Sequence, residues 1–306
     1  GFDTNHDLLF SKNNGSSFIA KGVADSITIF NGSLPYAAYG SSAHRLNNKN
    51  TFVYLKVKNA EEDRDLLQIN LETGTIDTLF VGSSSVTGFC VSPDNSMMLV
   101  YNADHESGIN TLYKLSMVND SPPIALCTFE GLVEIQGFDP SMKSAYVLQS
   151  LSEQDGKLYR VDLETGVIEL EFSEEGDSKY FHGTQFTWYS RHKRFLHTKN
   201  DSIAYYVRTG STGHSNEFSV IWEYNKNSKF LQQVSEKIKG DIGHIAITAD
   251  ERYLVYYCEK NAYGNLYAYD RVENKNIILY ENNNYPVSSS NNYPFLIHPV
   301  ENKVYF

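Results

Sequence analysis

Six side chains carry groups from which a polar or metal site could be built: His44, Glu134, Gln136, His182, Gln185 and His244. Imidazole and carboxylate ligate divalent cations, and imidazole, amide and carboxylate together offer donors and acceptors to a polar ligand. Counted back from the tight turn expected after each strand-like run, Gln185 and His244 stand at one level, four positions before residues 189 and 248. His44 lies one position off that level, His182 just precedes Gln185, and Glu134 and Gln136 occupy neighbouring levels. A bound divalent metal is one use of such a set, and it needs three or more groups about 2.0–2.2 Å from one point. The expected outcome is a polar, water-filled cavity with no cofactor and no tightly held ion.

Other chemistries find less support. The chain has no Gly-x-Ser-x-Gly elbow, no His-Glu-x-x-His, no phosphate-binding glycine loop and no zinc-type cysteine pair. Cys90, Cys127 and Cys258 lie far apart, and Cys90 and Cys258 read as small buried hydrophobes in strands. A net charge of −11 argues against non-specific nucleic-acid binding, which needs a basic footprint. No apolar run is long enough to span a membrane as a helix. His192 and Lys193 are expected on a turn, His105 and His214 in loops, and Trp188 and Trp222 in strand packing.

The elements that would position these groups repeat along the chain. Leu66–Gly74, Thr111–Leu115, Lys157–Gly166 and Asn265–Asp270 align as alternating strands, two of them closed by Thr-Gly. Leu67 to Leu112 is 45 residues and Leu112 to Leu158 is 46 (112 − 67 and 158 − 112). That is the period of a four-stranded antiparallel unit. Upstream of each hairpin lies a second signature of strand, tight turn and strand: Phe89–Tyr101 around Ser92-Pro93-Asp94-Asn95, and Ile245–Tyr256 around Thr248-Ala249-Asp250. Weaker copies run through Asp139-Pro140-Ser141 and His298-Pro299. Pro and Asp favour such turns by fixing φ and by bonding nearby backbone. The 22 tyrosines and 17 phenylalanines suit half-buried strands.

The Ser92-Pro93-Asp94 turn followed by Leu99-Val100-Tyr101, and Leu158-Tyr159-Arg160-Val161-Asp162 followed by Thr165-Gly166, resemble the repeats of the TolB and WD40-like β-propeller superfamily. Asn95 stands where that family has glycine, and WD dipeptides are absent. The Asp-box of sialidase-type propellers is also absent. The resemblance implies an all-β propeller of six to seven blades, each of four antiparallel strands, with seven favoured and the last incomplete. As one domain over 1–306, the template predicts blades at 7–39, 41–81, 86–129, 133–172, 180–234 and 241–281, with a partial blade at 287–306. The first strand of each blade would line a central channel, which is where the six polar residues would converge. Leu67, Leu112, Leu158 and Leu266 are expected on equivalent third strands, buried and facing the neighbouring blade. Arg208–Glu217 reads as an exposed loop, and Tyr101–Asn110 and Asn282–Asn292 as long polar loops fit for a binding rim.

Three functions fit. One is a binding or scaffold propeller that recognises a protein, peptide or glycan at the funnel rim. Another is an enzyme using the channel, as a metal-assisted lyase or a lactone or sugar hydrolase. The third is the gating domain of a larger peptidase. The chain opens on Gly1, which is expected where an N-terminal segment has been removed or a domain excised. The first case favours a periplasmic or cell-surface home.

Overall fold

The computed structural model describes residues 8–11, 16–21, 26–33, 44–46, 51–57, 64–70, 73–82, 85–104, 106–152, 155–173, 195–211, 216–228, 230–236, 238, 241–260, 263–281, 295–298 and 300–305. Every regular element among them is a strand. Four-stranded antiparallel sheets in sequential order recur, as a propeller of repeated blades requires.

A three-stranded sheet comes first: β1 (Leu8–Ser11), β2 (Ser16–Lys21) and β3 (Ser26–Ser33). The second holds β4 (His44–Arg45), β5 (Thr51–Val57), β6 (Arg64–Asn70) and β7 (Ile76–Phe80). The third holds β8 (Ser85–Val91), β9 (Met97–Ala103), β10 (Ile109–Ser116) and β11 (Ile124–Glu130). β12 (Leu132–Phe138), β13 (Ser144–Ser152), β14 (Asp155–Asp162) and β15 (Ile168–Ser173) form the fourth. The fifth comprises β16 (Phe195–His197), β17 (Ile203–Ser211), β18 (Asn216–Asn225) and β19 (Phe230–Gln233). The sixth comprises β20 (Asp241–Ile247), β21 (Tyr253–Lys260), β22 (Tyr263–Asp270) and β23 (Lys275–Tyr280). The last sheet has two described strands, β24 (Leu296–Ile297) and β25 (Val304–Tyr305). The chain divides into two compact units, residues 1–135 with 163–167, and 136–162 with 168–306.

One six-residue turn recurs between first and second strands. Ser92, Asp139, Thr198, Thr248 and His298 each donate their backbone N–H to the carbonyl five residues on, at 2.9 Å. The fourth residue of the turn adopts positive φ in Asn95, Met142, Asp201 and Glu251, between 55° and 58°. Asn95 therefore takes the backbone conformation that glycine supplies in the family motif. Side chains close the loop: Asp94 Oδ1 accepts from Ser92 Oγ at 2.7 Å and from Ser96 N at 3.0 Å, and Asp250 repeats this with Thr248 Oγ1 and Arg252 N.

The third-to-fourth-strand hairpins share a β-bulge at one position. The register shifts after Leu66, Leu112, Leu158 and Leu266, each time skipping one residue of the outer strand. This alignment corrects the expected register in the second sheet: Leu66, not Leu67, is the equivalent of Leu112. Both are buried, but strand alternation turns Leu67 to the opposite face. Leu66 packs with Val86, Met98 and Val100 of the following sheet. Leu158 does the same with Phe195 and Tyr206, and Leu266 with Phe295. In the fifth sheet Ile221 holds this position, buried with Ile242 and Ile245.

Further expectations are corrected. The fifth sheet's first turn runs from Thr198 to Ile203, not near residues 189–193. Arg208–Glu217 is not a free loop. Arg208 pairs with Val220, Thr209 with Ser219 and Gly210 with Phe218, so the insertion lengthens a hairpin. Tyr101–Ala103 and Ile109–Asn110 are strand, and in the turn between them Asp104 accepts from Glu106 N and Ser107 Oγ. Cys258 is buried as expected, but Cys90 is half-exposed, and all three cysteines are free thiols. Trp188, His105, His192, Lys193, His214 and Asn282–Asn292 lie outside the described residues.

Candidate functional site

Glu134 and Gln136 sit two apart on the first strand β12. Both are half-buried. His44 opens β4 opposite Val53. His244 lies on β20 opposite Tyr257, just after a bulge at Gly243. Its side chain is 6% exposed, and the ring stands edge-on to Phe295 with centroids 4.9 Å apart. His244 is thus packed against the residue that leads into β24. His182 and Gln185 lie outside the described residues. The level shared by Gln185 and His244 depended on a turn at residue 189. With that turn at Thr198, the residue four positions back is Arg194.

The structure also assembles polar groups that were not foreseen. Between the fourth and fifth sheets, the buried Tyr146 hydroxyl donates to both carboxylate oxygens of Asp201 at 2.9 Å. Lys226 donates to the same hydroxyl, pairs with Asp201 at 2.5 Å and lies 3.9 Å from Glu171. Its ammonium also sits 4.4 Å from the Tyr146 ring centroid. The His197 ring lies 5.2 Å from that ring, and its Nε2 meets the Phe138 carbonyl at 2.8 Å. Burial, then the Asp201 carboxylate, pushes the Tyr146 hydroxyl well above the usual phenol range, so it remains a donor.

The same device recurs one sheet on. Tyr205 stands at the Tyr146 position and donates to Glu223 at 2.5 Å. Arg271, at the Lys226 position, lies 5.5 Å from the Tyr205 ring centroid and donates to the Glu251 carbonyl. Neighbouring turns are joined as well: Lys199 N donates to Glu251 Oε1 at 2.5 Å, and Asn302 Nδ2 to Asp250 Oδ2 at 2.7 Å. Within the sixth sheet, Arg252 grips the buried Asp270 at 2.7 Å. That contact, together with the Glu273 and Val272 amides, lowers Asp270 to about 2. These contacts are saturated within the protein and clamp its turns together. Their chemistry is structural. A signal for them existed in the sequence, since Tyr146 and Tyr205 both fall two residues after the end of the recurring turn.

Among the described residues no group of three or more His, Cys, Asp or Glu side chains is arranged to hold a metal ion. Also among them, no helix is long and apolar enough to cross a membrane.

No family model matches the sequence, and no curated protein matches it. Solved structures do match. A puromycin hydrolase aligns with TM-score 0.65 and 15% identity over 91% of this chain and 44% of its own. An oligogalacturonate lyase from Vibrio parahaemolyticus aligns with TM-score 0.58 and 12% identity, covering 95% of this chain and 79% of that one. TolB from Acinetobacter baumannii aligns with TM-score 0.53 and 12% identity over 87% of this chain and 60% of its own. The chain thus spans less than two thirds of the TolB and of the hydrolase. At such identities these likenesses show the fold, a β-propeller, and leave the activity open.

Proposed function

We propose that this TolB-like β-propeller is a binding module that recognises a protein, peptide or glycan at the mouth of its channel. The observation that carries this reading is that Glu134 and Gln136 both lie half-buried on a first strand, β12. In a propeller the first strands face the axis. A carboxylate and an amide there offer acceptors and a donor suited to sugar hydroxyls or peptide amides. His44, His182, Gln185 and His244 are the further candidates on or near first strands. The latched turns at the other ends of these strands give the site a stiff scaffold, so loops or polar side chains can bind without reorganising it.

A channel enzyme is the second reading. It is favoured by the fold shared with a protein named as an oligogalacturonate lyase. Gating of a peptidase is the third, since a puromycin hydrolase shares the fold over part of its length.

The test is a glycan array and a peptide library probed with the labelled chain, repeated with Glu134→Ala/Gln136→Ala. Binding that is selective and lost in the double variant supports the reading. Selective binding that the double variant keeps in full would refute this placement of the site.

A further inference from the structure

The recurring turn that runs from His298 to Lys303 is closed by an imidazole. His298 is 6% exposed, and its Nδ1 accepts the backbone N–H of Glu301 at 2.9 Å and of Val300 at 3.3 Å. Both partners are donors, so Nδ1 presents its lone pair, and the ring is neutral with its proton on Nε2. Elsewhere the amides two and three residues on are taken by an oxygen: Asp104 serves Glu106 and Ser107, Asn225 serves Asn227 and Ser228, and Asp270 serves Val272 and Glu273. Three of the other recurring turns carry Asp94, Asn200 or Asp250 as an acceptor at the third position. The third position here is Val300, whose side chain accepts nothing, and His298 supplies the acceptor.

This turn also ties β24 and β25 to the sixth sheet. Asn302 Nδ2 donates to Asp250 Oδ2 at 2.7 Å, and Asp250 N donates back to Asn302 Oδ1 at 3.4 Å. The strands themselves pack there through Phe295, Ile297 and Val304, against Leu266 and Ala268. Glu301, paired with Lys303 at 2.5 Å, lies beside the imidazole, as does Tyr305, with ring centroids 6.4 Å apart. From the sixth sheet come Asp250, reached through Asn302, and His244, which meets Phe295 at the same joint. The Thr248 hydroxyl and the Arg252 amide hold the Asp250 carboxyl below its usual range, so it keeps its charge in mild acid.

We infer that His298 is a proton-sensitive latch: neutral, it closes the turn that grips the sixth sheet, and protonated, it lets that turn open. A proton on Nδ1 takes the acceptor from two amides and sets an N–H against theirs. Amides left unmatched in this way destabilise the turn, and Asn302 belongs to it. The closed turn binds fewer protons than the open chain. Its contribution is therefore present at neutral pH and is lost as imidazole takes up a proton toward about pH 5. An imidazole at a joint between packed elements is a known way to make that joint respond to acid. The inference stands apart from the channel-mouth site and does not depend on it.

Histidine-selective isotope labelling with long-range proton–nitrogen NMR reads the first claim. At about pH 7.5, His298 should show a bare Nδ1 and a protonated Nε2. Hydrogen exchange followed by mass spectrometry, each rate divided by the intrinsic rate at that pH, reads the second. Protection of residues 295–305 should fall about tenfold or more between about pH 7.5 and pH 5. The midpoint of that fall should coincide with the titration of the His298 ring nitrogens, which ties it to this residue without any substitution. In His298→Asn, whose side-chain oxygen can take both amides as Asn225 does, the fall should disappear. A protonated Nδ1 at about pH 7.5 would overturn the inference. So would steady protection across the interval, or a midpoint that departs from the His298 titration. An equal fall in a folded His298→Asn variant would place the sensitivity elsewhere, at His244 for instance, and would also overturn it.

Discussion

The Tyr146 hydroxyl donates to both carboxylate oxygens of Asp201 at 2.9 Å, joining the second strand of one sheet to the first turn of the next. The two residues are 55 positions apart, and Lys226 closes the triad from the other side. We predict that Tyr146→Phe costs about 1.5–3 kcal/mol, the range for a hydrogen bond to a charged group. Once Tyr146→Phe has removed the hydroxyl, Asp201→Asn should cost less than it does in the wild-type chain. Urea titration of the single and double variants measures the coupling, and additive costs would contradict the triad.

The forward-pointing third-strand residue is the second target. Leu158 is fully buried between sheets, so Leu158→Ala should cost about 2–5 kcal/mol. Ile221→Val, at the equivalent position, should cost only about 0.5–1.5 kcal/mol. A Leu158→Ala cost under about 0.5 kcal/mol in denaturant titration would contradict the register.

Much of this was legible in the sequence, because the turns and third strands are local patterns. Pro93 with Asp94, and Gly74 and Gly166, announce turns by their own conformational preferences. At Gly166 the reason is steric as well, since a Cβ there would lie 2.1 Å from the Leu126 carbonyl oxygen. The one-residue slip at Leu67 arose because Leu66 and Leu67 are both apolar, and only the bulge distinguishes them. The fifth sheet's first turn was misplaced because Thr198-Lys199-Asn200-Asp201 has neither Pro nor Gly, and β16 is three residues long. Gly210, Ser211 and Gly213 suggested a loop where strand pairing extends the hairpin. The Tyr146 latch joins residues too distant in sequence for spacing to reveal, and the packing of His244 on Phe295 depends on a strand beginning about fifty residues later.

Met142 adopts φ 55° at the turn position where Asn95 also has positive φ. A side chain without local hydrogen-bonding ability is strained there by roughly 1–2 kcal/mol. Met142→Gly should relieve that strain and raise stability by roughly 0.5–1 kcal/mol after the entropic cost of glycine. Thermal melts read the shift, and a lower melting temperature would contradict the turn assignment.

Asp270 titrates near 2 in the folded protein because Arg252 grips its carboxylate, against about 3.9 for an unperturbed aspartate. A depressed folded value means the contribution is present above the unfolded value and is lost as pH falls from about 4 through 2. Asp270→Asn should therefore lower the melting temperature at pH 7. The gap between variant and wild type should narrow between about pH 4 and pH 2. A gap that stays constant across this window would show that the carboxylate charge is not what Arg252 holds.

The reading of this propeller as a binder, not a catalyst, is tested most directly by following the fate of a bound molecule. A glycan or peptide selected on the arrays is incubated in excess with the chain, with and without added manganese, and then recovered for mass spectrometry while calorimetry reports the binding. The account predicts saturable binding and full recovery of the ligand at its original mass. Cleaved product in molar excess over the protein, lost on Glu134→Ala/Gln136→Ala, would contradict it and make the chain an enzyme.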